Sequence, residues 1–146
     1  MATEIDRLKG KLYRNDYTLD TKSPHVAACL LKDWLRGLKD SLIPQTHYDM
    51  AIDMAKKNTV KQESLEVFLS QLPEVNRETI KYLVKFLQDL IEEKNVPKTR
   101  MNLENVAIVF APTMLKCPHS DTKILLANSR FEKTFVIALI KELRDY

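Results

Sequence analysis

Glycine and cysteine are scarce in this chain of 146 residues, with two of each. β-Hairpins and phosphate-cradling loops draw on glycine for positive φ, so a β-rich fold or a nucleotide-binding loop is not expected. The two cysteines, Cys29 and Cys117, are too few for the multi-bridge framework of a small secreted domain, and free thiols are the ordinary state of a reducing compartment. No stretch approaches the roughly 18 consecutive apolar residues of a membrane span, and the first residues lack the apolar centre of a signal peptide. These absences lead us to expect a cytoplasmic protein without an integral membrane segment.

An excess of one charge is missing too. The 23 basic and 20 acidic residues leave a net +3 with no run of like charges, well short of a nucleic-acid footprint. Aromatic side chains fall mostly on the apolar faces of helical patterns, which argues against a base-stacking surface, and no nucleic-acid partner is expected. HExxH, GxSxG, a Walker lysine loop and paired CxxC are all absent, so hydrolase, metalloprotease and nucleotide-binding readings have no motif to rest on. The chain is therefore not expected to turn over a substrate itself. No cofactor or metal is implied.

What is present points to helices. At 45% hydrophobic and 29% charged the chain is apolar enough for one core, and the expectation is a single all-α domain over residues 1–146, a bundle of about seven helices. Ile5, Leu8 and Leu12 give a first helix over 2–14. Ser23-Pro24 marks the next start, with serine as cap and proline at the first helical position. That helix runs to about Leu38, with Val26, Ala27, Leu30, Leu31, Trp34, Leu35 and Leu38 on its inward face. Helices follow from Pro44 to about Lys57 and from Val60 to Leu72. Asn76 is read as the cap of a long helix whose Ile80, Leu83, Val84, Leu87, Leu90 and Ile91 keep a 3.6 period. A central helix through MNLENVAIVF is expected to stop at Pro112. Ser129-Arg-Phe-Glu132, a capping-box pattern, is expected to open the last one.

Three groups of residues carry possible chemistry. Lys32 and Arg36, four apart, emerge together on the outward side of the second helix. They are either a solvated helix face or a contact to an acidic or phosphate-bearing partner. Met101, Asn105 and Ile108 lie opposite the inward residues of their helix, as an interface stripe or as part of a helix buried on both sides with Asn105 bonded internally. His25 with Cys29, and Cys117 with His119, form close pairs, but their spacing matches no usual zinc module, and small core-edge thiols with capping histidines are expected instead.

Three segments then carry a family likeness. HVAACLLKDWLRGLKDSLIP at 25–44, LPEVNRETIKYLVKFL at 72–87 and TRMNLENVAIVFAPTML at 99–115 resemble, in order and at plausible spacing, the Rho GTPase-activating domain family. The likeness spans essentially the whole chain. It implies an all-α GTPase-activating fold and, as partner, a Rho-, Rac- or Cdc42-type small GTPase in its GTP-bound state, engaged by a monomer that reaches membranes through the GTPase or through other domains. It implies that Lys32 and Arg36 match the family's basic pair and Asn105 its asparagine near the catalytic contact, with Met101 and Ile108 meeting the switch regions.

There are departures as well. The family's arginine finger lies in a GIFR-x-x-G-like loop before the helix that opens here at Ala2, so no catalytic residue is assigned, and Arg7 and Arg14 are not given the role. On this reading the domain is cut just after its finger segment. Gly37, Lys39 and Ser41 stand where the family prefers glutamate and prolines, and Thr99 where it has asparagine. The alternatives are a GTPase-binding or scaffold domain without catalytic effect, and a helical module binding peptides or acidic membranes through Lys32, Arg36 and Lys39.

Overall fold

The computed structural model describes residues 2–144. Among these residues there are eight α-helices and no strand, so the all-α expectation holds. The helix beyond the expected seven is a single turn, Val96–Thr99. The chain forms two compact units, one ending at Leu38 and the other starting at Lys39.

The first unit is a helix pair. Helix α1 (Ala2–Tyr13) packs on α2 (Pro24–Gly37). Leu8, Val26 and Leu30 form their small core, with Ile5 against it. The polar connection between them is tied back by charge, through Arg7 to Asp20 at 3.1 Å and Lys11 to Asp20 at 3.5 Å and Asp16 at 3.7 Å. Proline stands at the start of α2 as expected, but the Ser23 side chain makes no capping bond. Its own N–H donates instead to Thr21 Oγ1 at 3.2 Å. Two residues read as inward are not: Ala27 is exposed and Trp34 is 53% exposed. The buried stripe is narrower than the apolar one, running through Val26, Leu30 and Leu35.

The second unit is organised around one helix. A 3-10 turn (Gln45–His47) leads into α3 (Tyr48–Lys56), followed by α4 (Gln62–Ser70), α5 (Glu74–Leu90), α6 (Val96–Thr99), α7 (Leu103–Met114) and α8 (Thr122–Glu142). Helix α8 packs against α3, α5 and α7. Phe135 of α8 is fully buried, with its ring 5.4 Å from that of Phe68 on α4. Val136, Leu139 and Ile140 continue the same face, so the 3.6 period of this segment is what places α8 at the centre. Gln88 on α5 locks the arrangement by donating to the carbonyls of Ile140 and Leu143, both at 2.9 Å.

Three boundaries differ from expectation. Helix α8 begins at Thr122, capped by Asp121, whose carboxylate accepts from Lys123 N–H at 2.8 Å. Ser129 is therefore not a cap but sits within the helix, its hydroxyl bonding back to the Leu126 carbonyl at 2.9 Å. Helix α7 runs two residues past Pro112. Proline there stands in the final turn and is exposed, so the one lost bond leaves the Ile108 carbonyl near solvent and the helix intact. Helix α5 starts after Pro73, and Asn76 lies in its first turn. Its amide donates at 2.9 Å to the Leu42 carbonyl, pinning the segment before the 3-10 turn. That segment is further held by Ile43 N–H on the Met114 carbonyl at 3.0 Å and by the buried Ser41 hydroxyl on the Ile43 carbonyl at 2.6 Å.

Candidate functional site

The two sets of candidate residues lie in different units, and each is described within its own. On α2, the i, i+4 spacing of Lys32 and Arg36 puts both on the same side of the helix, but not equally outward: Arg36 is exposed and Lys32 half-buried. Between them in sequence stands Asp33. Its Oδ1 accepts from Arg36 Nη2 at 2.9 Å, and its Oδ2 lies 3.4 Å from Lys9 Nζ of α1. The Arg36 hydrogen bond, assisted by Lys9, holds the Asp33 carboxyl below the usual carboxylate range. Asp33 therefore restrains the direction in which Arg36 reaches out. Sequence reading passed over it, although an acid three residues before an arginine on one helix is a recognisable pair.

In the second unit, Asn105 and Ile108 lie on the solvent side of α7, Ile108 being 54% exposed, while Val106, Ala107, Phe110 and Ala111 are buried behind them. Met101, just before the helix, is half-buried. The exposed-stripe reading of these positions therefore describes α7 better than a helix buried on both sides. Asn102 caps α7, its Oδ1 accepting from Asn105 N–H at 2.9 Å. The Asn105 side chain then folds toward the preceding turn, donating from Nδ2 to the Arg100 carbonyl at 2.8 Å. Arg100 closes α6 in the left-handed conformation, φ 55°, with its N–H on the Val96 carbonyl at 2.7 Å. Thr99 steadies the same turn, its Oγ1 accepting from Met101 N–H at 3.1 Å and donating to the Asn95 carbonyl at 3.2 Å. The local geometry around Asn105 thus rests on a run of side-chain-to-backbone bonds from Asn95 to Asn105.

The capping role expected of the histidines is not the one His119 takes: it pairs with a side chain of α3. His119 Nε2 lies 2.8 Å from Asp49 Oδ1, and its ring meets the Tyr48 ring edge-on at 6.3 Å. Cys29 and Cys117 are free and half-buried. Tyr48 itself is completely buried with no hydrogen-bond partner for its hydroxyl, and burial pushes its phenol far above the ordinary value. Cys117, Asn128 and Glu132 are the polar residues that influence it.

The described residues are thus all-helical, with an exposed arginine and a half-buried lysine on one helix of the first unit and an outward amide beside an exposed isoleucine on a helix of the second. The RhoGAP domain model matches residues 1–119. GTPase activating protein homolog 3 of Dictyostelium discoideum is 37% identical over 144 residues, which is 98% of this chain and 10% of that protein. GTPase activating protein homolog 4 of the same organism is 41% identical over 143 residues, covering 96% and 15%. Human Rho GTPase-activating protein 18 is 33% identical over 112 residues, covering 75% and 17%. The chain thus spans between a tenth and about a sixth of the length of these relatives. Among solved structures, human Rho GTPase activating protein 15 superposes with a TM-score of 0.82 at 21% identity, over 97% of this chain and 68% of that one. The BH domain from Graf, the GTPase regulator associated with focal adhesion kinase, gives 0.82 at 20% identity, over 97% and 76%. At that identity the two structures establish the fold. The chain belongs to the RhoGAP domain family.

Proposed function

We propose that this chain binds the GTP-loaded form of a Rho-family small GTPase and promotes hydrolysis of its GTP, ending the GTPase's signal. The observation that carries the reading is the outward face of α7 in a chain of this family. It presents a polar amide hydrogen-bonded to the Arg100 carbonyl beside an exposed isoleucine, on a helix whose opposite face is core. Lys32 and Arg36 supply the basic contact and Met101, Asn105 and Ile108 the contact to the switch segments. The names borne by the three relatives given above, each a GTPase-activating protein, point the same way.

The chemistry follows from phosphoryl transfer. Negative charge develops on the transferring γ-phosphoryl group, and an activator lowers the barrier by supplying a cation in trans and by holding the attacking water's partners still, an effect of about 10³–10⁵ in rate. The residues assigned here do the second part: they dock and immobilise the switch segments. Arg7, paired with Asp20, and Arg14 are not assigned the cationic role.

Single-turnover GTP hydrolysis by Rho-, Rac- and Cdc42-type GTPases, followed with increasing amounts of the chain, tests the proposal. Because the residues assigned here immobilise the switch segments and none supplies the cation, saturable but modest acceleration, well below the full effect of an activator, is expected for at least one of them. Binding to the GTP-loaded state without acceleration would favour the non-catalytic binding domain instead. Neither binding nor acceleration would refute both.

A further inference from the structure

We propose that Arg100 is a positioning residue for Asn105, acting through its backbone carbonyl and not through its guanidinium, so that Asn105 Oδ1 is offered to the GTPase as a preset hydrogen-bond acceptor. The inference deepens the function proposed above and rests on it. Three observations carry it. A carbonyl oxygen can only accept, so the 2.8 Å contact between Asn105 and Arg100 O settles which way the amide lies: Nδ2 faces the turn and Oδ1 faces away from it. Asn105 is exposed, so the oxygen turned away is open to a partner. The Arg100 carbonyl reaches that position because Arg100 adopts φ 55°, a left-handed conformation uncommon for a residue other than glycine.

That strained turn is secured on both sides. Its N–H closes α6 on Val96, and Thr99 Oγ1 holds the next N–H, that of Met101. On the other side the Asn102 cap fixes the first turn of α7 through the Asn105 N–H itself. Asn105 is thus bonded through both its backbone and its side chain before any partner arrives, which removes much of the ordering cost that a free surface amide would meet on binding. The group it suits on the GTPase is a donor, a backbone N–H or a hydroxyl, in a segment ordered in the GTP-loaded state.

The test separates carbonyl from side chain. Arg100→Gly deletes the guanidinium but adopts positive φ freely, so affinity for a GTPase loaded with a non-hydrolysable GTP analogue is expected to stay within about twofold of wild type. Arg100→Val disfavours positive φ and is expected to weaken binding about tenfold. In an Asn105→Ala background the Arg100→Val change should have no further effect, because the amide it positions is gone. In parallel, NMR of the Asn105 side-chain amide in the free chain should show one ordered conformation in wild type and Arg100→Gly, and averaging in Arg100→Val, with the core signals of α8 confirming that each variant is folded. Equal losses in Arg100→Gly and Arg100→Val, or an undiminished Arg100→Val effect beside Asn105→Ala, would overturn the inference, as would an averaged amide in wild type. If wild type binds no GTPase, the presentation to a partner falls with the functional reading, and an amide still ordered would place the fault in the choice of partner, not in the positioning.

Discussion

Tyr48→Phe is expected to make the protein more stable. Tyr48 lies at the start of α3 with 0% of its surface exposed, and its hydroxyl has no hydrogen-bond partner. A buried polar group left unpaired costs about 1–3 kcal/mol relative to its hydrated state in the unfolded chain. Removing one oxygen relieves that cost and leaves a space smaller than a methyl group, which offsets the gain by about 0.3 kcal/mol. The ring keeps its edge-on approach to His119 and the rest of its packing. The net expectation is a gain of about 1 kcal/mol, or a rise in Tm of about 3 °C for a domain of this size. Because burial raises the phenol above its ordinary value, it is protonated at pH 6 and pH 8 alike, and the gain should be the same at both. Paired thermal and urea unfolding curves of wild type and variant measure it. A loss of 1 kcal/mol or more would show that the hydroxyl is bonded in solution, with Asn128, Glu132 or Cys117 as the partner, and would refute the reasoning.

Two other expectations concern α8. Glu132 is half-buried, and desolvation raises its carboxyl above the ordinary range, so the native state holds that proton more tightly than the unfolded chain does. Its contribution to stability therefore falls as pH rises from the unfolded value of about 4.3 through the native one. Glu132→Gln should stabilise the protein at pH 7 and lose that advantage near pH 3.5, as unfolding curves at the two pH values will show. Phe135→Ala removes a fully buried ring tilted against that of Phe68 and should cost about 3–5 kcal/mol, a fall in Tm of about 10 °C; a change under 1 kcal/mol would show that α8 is not the centre of its unit.

Much of this was legible in the sequence, and where it was not the reasons are physical. Helix α5 could be read because Ile80, Leu83, Val84 and Leu87 repeat at 3.6 and all four are buried. The first third of α8 was missed because its apolar residues, Ile124, Leu125 and Leu126, are adjacent rather than spaced, and all three are exposed. No period marks such a segment, so the inviting Ser129–Glu132 pattern was taken as the start. Pro112 was read as a stop because proline usually ends a helix, but in a last turn only one exposed bond is lost. Asn76 has a capping residue's chemistry and spends it on the Leu42 carbonyl, a partner 34 positions away that no local pattern reveals.

The candidate site divides in the same way. The outward positions of Arg36, Asn105 and Ile108 follow from helical spacing alone, whereas Lys32 is more covered than that spacing implied. What holds the groups was hidden. Asp33 carried a signal in its i, i+3 relation to Arg36, but the left-handed Arg100 carried none, since nothing about arginine marks it for positive φ.

The most direct test of the central claim is a binding titration of the chain against Rho-, Rac- and Cdc42-type GTPases, each loaded with a non-hydrolysable GTP analogue or with GDP. The account predicts binding selective for the GTP-analogue state, weakened about tenfold or more by Lys32→Ala or Asn105→Ala. Equal affinity for both nucleotide states, or binding that neither substitution weakens, would contradict it.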